Sequence, residues 1–176
     1  METSYFKELT LNLRREGLTV KPETEDDLLP VELDGQRLCC VTEAGGVRYW
    51  KEDVSGDSRS EALDRAVEVV RTTASYMCQM AVAPLLTAAG LDGDYRLLAE
   101  FNGVILAGHH TSYGTQFITW ERDRKGTGVH TGHYHGFGSD SYTTAKRDFA
   151  LRSGLIQDSA LFPPEQTNDL SQSNMI

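Results

Sequence analysis

Glu100-Phe101-Asn102-Gly103-Val104 sets an Asn-Gly pair between apolar residues, and Glu32-Leu33-Asp34-Gly35-Gln36 does the same with Asp-Gly. Such pairs favour the two-residue type I′ turn, whose central residues both need positive φ. Each segment is therefore read as the tip of a β-hairpin. The likeness extends outward. Trp50-Lys51-Glu52-Asp53 parallels Trp120-Glu121-Arg122-Asp123, and Gly56-Asp57-Ser58 parallels Ser139-Asp140-Ser141. The order hairpin, strand ending in Trp, loop and capped helix is thus expected twice. The second copy has one strand more, the His-bearing segment 129–135. This reading gives an α+β fold made of two tandem antiparallel hairpin-strand-helix units, an internal duplication, around a long central helix. Each unit alone has one sheet face and one helix to cover it, so the two are expected to share a core.

The expected divisions are an N-terminal helix and connector over 1–27, a first unit over 28–90, a second over 91–156 and a polar tail over 157–176. Tyr5, Phe6, Leu9, Leu11 and Leu13 mark the first helix, with Thr3 or Ser4 as cap and Gly17 as stop. Ser58 and Glu61 read as a capping box for the long helix. Leu63, Val67, Val70, Ala74, Met77, Ala81, Leu85 and Ala88 recur at spacings of three and four. Its later turns are apolar on most sides, which suits a central helix or a homodimer interface. Pro84 is expected to kink or break it, and Gly90 to end the segment. Asp140 or Ser141 is expected to cap the last helix, and Gly154 to stop it. Leu161 and Phe162 of the tail are expected to dock onto the body.

The chain has 176 residues, 17 Lys and Arg against 26 Asp and Glu, and a formal net charge of −9. That balance argues against direct nucleic-acid binding, which needs cations to neutralise phosphates, and against anionic membranes. No apolar run is long enough to span a bilayer, and the charged N-terminus does not read as a signal peptide. Cys39, Cys40 and Cys78 form no paired framework and read as small core residues in a reducing, cytoplasmic setting. Cys78, placed mid-helix among apolar residues, is not expected to be an activated nucleophile. Trp50 and Trp120 read as framework aromatics.

All five histidines lie between 109 and 135. By strand alternation His133 and His135 share one face and His130 takes the other. A His-x-His pair can supply two ligands to a divalent metal, with His109 or His110 as the candidate third. Gly126, Gly128, Gly132, Gly136 and Gly138 match neither the dinucleotide fingerprint nor a P-loop and read as tight turns. No Gly-x-Ser-x-Gly elbow or His-Glu-x-x-His helix is present. The acidic run Glu23, Glu25, Asp26 and Asp27 raises the separate idea of nucleic-acid mimicry.

Leu98-Ala99-Glu100-Phe101-Asn102-Gly103-Val104-Ile105-Leu106-Ala107, Gln116-Phe117-Ile118-Thr119-Trp120-Glu121, Gly132-His133-Tyr134 and Ala145-Lys146-Arg147-Asp148-Phe149-Ala150 resemble accessory proteins of conjugative and other mobile elements of gut Firmicutes. The resemblance spans 97–155 and implies a genomic setting rather than an activity. The element order is also loosely similar to that of type III secretion chaperones, an analogy of fold alone. The expected function is therefore that of a non-enzymatic accessory protein, without cofactor, that binds another protein. The alternatives are an acidic nucleic-acid mimic that inhibits a host nuclease or restriction enzyme, and a metal-dependent enzyme using the strand histidines.

Overall fold

A computed structural model describes residues 4–157. The tail beyond 157, with Leu161 and Phe162, lies outside the described residues. Among the described residues the fold is α+β, with three α-helices and two four-stranded antiparallel sheets. Helix α1 (Tyr5–Arg15) begins at Ser4, whose hydroxyl accepts from the Lys7 amide at 3.3 Å. Gly17 follows its end with a φ of +78°. The first sheet is ordered β1 (Thr19–Val20), β2 (Leu28–Leu33), β3 (Gln36–Thr42) and β4 (Val47–Arg48). A short 3-10 turn at Lys51–Val54 leads into α2 (Asp57–Val82). The second sheet is ordered β5 (Tyr95–Phe101), β6 (Val104–Thr111), β7 (Gly114–Arg122) and β8 (Val129–Phe137), and α3 (Ser139–Arg152) closes the described chain.

Both expected hairpins form. Leu33 pairs with Gln36 across Asp34 and Gly35, whose φ values are +53° and +75°. Phe101 pairs with Val104 across Asn102 and Gly103, at +50° and +74°. Positive φ at both central positions is what a type I′ turn demands. β8 is the additional strand of the second unit.

The long helix serves both units. Its first half sets Ala62, Leu63, Ala66, Val69 and Val70 against Leu29, Val31, Leu38 and Val41 of the first sheet, with Leu9 and Leu13 of α1 on the same core. Its second half sets Tyr76 and Met80 against Val104, Leu106 and Phe117 of the second sheet and Tyr142, Ala145 and Phe149 of α3. The opposite face of the second sheet has its own core of Ile105, Ala107, Ile118 and Trp120. The chain between α2 and β5 covers that face, with Leu86 packed into it and backbone bonds from Leu86 to Tyr95 and from Ala89 to Thr127.

Several expectations need correction. α2 stops at Val82, so Leu85 and Ala88 are not helical. Pro84 lacks an N–H and forces the preceding residue, Ala83, into the extended region at ψ 137°. Ser58 does not cap α2, nor do Asp140 and Ser141 cap α3. The caps are Gly56 and Gly138, at φ +94° and +104°, without side-chain bonds. At those angles glycine turns the chain into the helix a residue or more earlier than the hydroxyls would. The third strand of the first unit is only Val47–Arg48, and a short β1 precedes the hairpin. Trp120 is buried at 4% exposure, whereas Trp50 is 45% exposed with the Arg37 guanidinium 3.9 Å above its ring. Cys39 and Cys40 are buried, but Cys78 is exposed, because the buried face of α2 passes through Tyr76 and Met80 instead. Burial pushes the Cys39 thiol up to about 12. No helix among the described residues is long and apolar enough to cross a membrane.

Candidate functional site

β8 is the edge of the second sheet. It pairs with β7 on one side and, among the described residues, with no strand on the other. Residues His130 to Tyr134 are all exposed. Its histidines do not alternate as expected. Glu121 lies opposite His130, and Thr119 lies opposite His133, so two steps on β7 match three on β8. The extra residue is accommodated by a bulge in which Thr131 takes a φ of +51°. One inserted residue reverses the parity of everything beyond it. His130 therefore stands on the same face as His133 and His135, the face covered by α3.

The residue that gathers these histidines is Asp148 of α3. Its two carboxylate oxygens each lie 3.1 Å from His133 Nδ1. His135 Nε2 lies 3.3 Å from Oδ2 but outside hydrogen-bond geometry. The Thr119 hydroxyl donates to Oδ2. One turn further along α3, Arg152 makes a fork. Nη1 donates to Thr119 Oγ1 at 2.8 Å and to its carbonyl at 3.1 Å, while Nη2 donates to Glu121 Oε1 at 2.9 Å and to the Thr131 carbonyl at 2.7 Å. Arg152 thus braces the bulge that orients His130, and Glu121 sits 4.0 Å from His130 Nδ1. A guanidinium suits this role because its planar donors can engage several acceptors at once.

Burial of Asp148 raises its carboxyl pKa, but hydrogen bonds from Thr119 and His133 and the nearby imidazoles outweigh it and hold the group below the ordinary aspartate value. A carboxyl depressed in the folded state stabilises the fold above its unfolded value, and this contribution disappears as pH falls through the folded value. We predict that acidification below about pH 4, the ordinary carboxyl region, costs the native chain stability that Asp148→Asn has already forfeited. Urea midpoints at pH 7 and pH 3 should therefore lie closer together in the variant. An unchanged difference would refute the assignment.

His109 and His110 are not brought to this cluster. They lie on β6, with β7 between them and β8. His109 Nδ1 is 3.1 Å from the Asp94 carbonyl, and His110 Nδ1 is 2.9 Å from Thr115 Oγ1. The proposed pair His133 and His135 does converge, but on a carboxylate, and among the described residues no group of three or more His, Cys, Asp or Glu is arranged to hold a metal. The glycines are turn and packing residues. Gly126 and Gly136 have φ values of +71° and +76°, and Gly132 lies against the Trp120 indole.

Two features escaped the sequence reading. Asp148 and Arg152 are four residues apart and so share a helix face, a spacing visible in the sequence only once β8 is known to lie opposite. The second is a row of carboxylates, Asp57, Glu61, Asp64 and Glu68, all exposed on α2. At the helical repeat of about 100° per residue they fall within roughly 60° of one another. Protein-family models, curated proteins and solved structures yield no match to this chain.

Proposed function

We propose that this chain is a non-enzymatic accessory protein that binds another protein, and that it does so by accepting an extended segment of its partner along β8. The supporting observation is the state of that edge. Natural sheets guard exposed edges with Lys, Pro, inward charges or bulges, because unpaired N–H and C=O groups recruit other strands, and of these devices β8 carries bulges alone. β8 spans nine residues, Val-His-Thr-Gly-His-Tyr-His-Gly-Phe, with no Lys, Arg, Asp, Glu or Pro among them. Tyr134 is 60% exposed on one face, and the imidazoles line the other. Main-chain bonds would supply affinity in strand addition, and alternate side chains selectivity. The resemblance to mobile-element proteins supplies the setting, in which the partner belongs to the host or to the element itself.

The test pairs capture with a map of the contact. Tagged protein is incubated with lysate of a Firmicutes host at low and high salt, and the retained partner is identified by mass spectrometry. Tyr134→Lys, which charges the edge, should abolish retention at both salts, and β8 amides should gain hydrogen-exchange protection in the native complex. Retention unaffected by Tyr134→Lys, with β8 amides exchanging as before, would sink the proposal. Protection that rises with protein concentration alone would identify the partner as a second copy of the chain.

The carboxylate row on α2 favours a second reading, mimicry of nucleic acid. It leads to a different result in the same assay. A nuclease or restriction enzyme would be captured at low salt, released at high salt, and lost on Glu61→Lys with Asp64→Lys but not on Tyr134→Lys.

A further inference from the structure

Where α1 approaches the ends of β5 and β6, a cavity of about 300 Å³ opens between Lys7, Asp94, Arg96, His109, His110 and Thr111. Its charge runs against that of the molecule. Lys7 and Arg96 contribute two permanent cations against the single carboxylate of Asp94, in a chain of net charge −9. Neither cation forms an ion pair among the described residues. Arg96 spends one N–H on the Ala83 carbonyl at 3.0 Å, which anchors the guanidinium and leaves its other donors without a partner among the described residues.

The imidazoles are held in defined orientations. His109 Nδ1 faces the Asp94 carbonyl, an acceptor only, so Nδ1 carries a proton. The His109 ring also stacks on Tyr95 with centroids 4.6 Å apart. His110 is held below the ordinary histidine value, chiefly by burial. The Glu8 carboxylate opposes that shift, while His109 and Arg96 add to it. His110 Nδ1 and the buried Thr115 hydroxyl share a hydrogen bond of 2.9 Å, which the hydroxyl can donate, leaving the ring proton on Nε2. Neither Nε2 has a protein partner among the described residues. The cavity therefore offers an ammonium, an anchored guanidinium and an imidazole N–H to one small volume.

We propose that this cavity binds a small organic oxyanion, its phosphate or carboxylate group held between Lys7 and Arg96 with the His110 imidazole donating to it. A carboxylate or phosphate is the natural complement of a guanidinium. The volume sits at the lower end of small-molecule sites. It exceeds what a bare anion needs, so the charged group is expected to come with a short organic body. The site is independent of β8, from which β7 separates it.

Sodium phosphate and sodium succinate, titrated separately into the full chain at constant ionic strength, test the proposal through the imidazole resonances of its histidines. His109 and His110 should shift saturably, and His133 should not move. Lys7→Gln, at an exposed position where folding is not at stake, should weaken binding at least about fivefold, or about 1 kcal/mol. Asp94→Asn should tighten it by removing the carboxylate that lines the cavity. Saturation by phosphate alone assigns a phosphoryl ligand, and by succinate alone a carboxylate ligand. Shifts that never saturate, that appear equally at His133, or that survive Lys7→Gln unchanged would overturn it.

Discussion

Tyr76→Ala should lower the stability of the fold by about 4 kcal/mol, the range typical of deleting a large buried aromatic side chain. The measurement is the shift in urea midpoint at unchanged slope. A loss of that size removes much of the roughly 5–15 kcal/mol that holds an ordinary domain folded. Tyr76 is fully buried at the point where α2 passes from the first core to the second. Its ring meets Phe117 edge-on, with centroids 5.1 Å apart, and Tyr142 at 5.5 Å. Its hydroxyl donates to Glu8 Oε1 at 2.6 Å and accepts from Asn12 Nδ2 at 2.7 Å. Asn12 also donates to Thr73, and Glu8 Oε1 accepts the Thr115 amide at 2.8 Å. One phenol thus joins α1, α2 and the second sheet. Burial, then the Glu8 carboxylate, push its pKa far above the usual tyrosine value, so the hydroxyl stays a donor at every working pH. Tyr76→Phe keeps the ring and isolates the polar part. It leaves Glu8, whose Oε2 already lacks a partner among the described residues, with one donor fewer, and should cost about 1–3 kcal/mol. Tyr113→Ala, at a residue 69% exposed, should stay within about 0.5 kcal/mol. Equal costs for Tyr76→Ala and Tyr113→Ala would show that this junction does not hold the two units together.

That junction explains what the sequence could and could not reveal. The hairpins were legible because Asp-Gly and Asn-Gly solve a local problem, positive φ at two successive residues, whatever lies around them. The end of α2 was legible near Pro84 for the same reason, since the missing N–H acts within one turn. Glu8 and Asn12 were not. On α1 they look like solvent-facing residues, and only the arrival of Tyr76, Thr73 and Thr115 from distant segments makes their burial tolerable. The face of His130 was misread because alternation counts residues, and a bulge adds one without leaving a sequence mark strong enough to see. Thr131 at positive φ is the cause, and its brace, Arg152, comes from another element. His133 and His135 share a face, as strand alternation expects, yet Asp148, the group they meet, could not be named without knowing that α3 folds back over β8. The caps of α2 and α3 failed for a milder reason, whereas that of α1 formed at Ser4 as expected. Gly56 and Gly138 compete with nearby hydroxyls and carboxylates for the same role, and backbone geometry decides between them.

Gly132→Ala tests how firmly β8 is seated. A Cβ at this position would lie 2.5 Å from Trp120 Nε1 and 2.9 Å from its Cδ1, well inside contact distance. The indole has little room to retreat. It is buried among Leu86, Ile105, Ala107 and Ile118, with Tyr95 edge-on at 5.1 Å and Tyr134 at 6.2 Å. Relief must come from moving either Trp120 or the edge strand, and overpacking of this kind costs about 1–3 kcal/mol. In a Trp50→Phe background the emission reports Trp120 alone, and it should shift to the red as the indole meets water. Trp120→Phe removes the clashing pyrrole edge, so Gly132→Ala should cost less in that context. The non-additivity of the pair is the specific sign of contact, since substitutions of residues that do not touch add. A full cost with strict additivity would place the strain in the backbone beside Thr131 rather than at the indole. A cost under about 0.5 kcal/mol with unmoved emission would mean that β8 itself yields, and an edge strand that yields so easily could open as well as extend when a partner strand arrives.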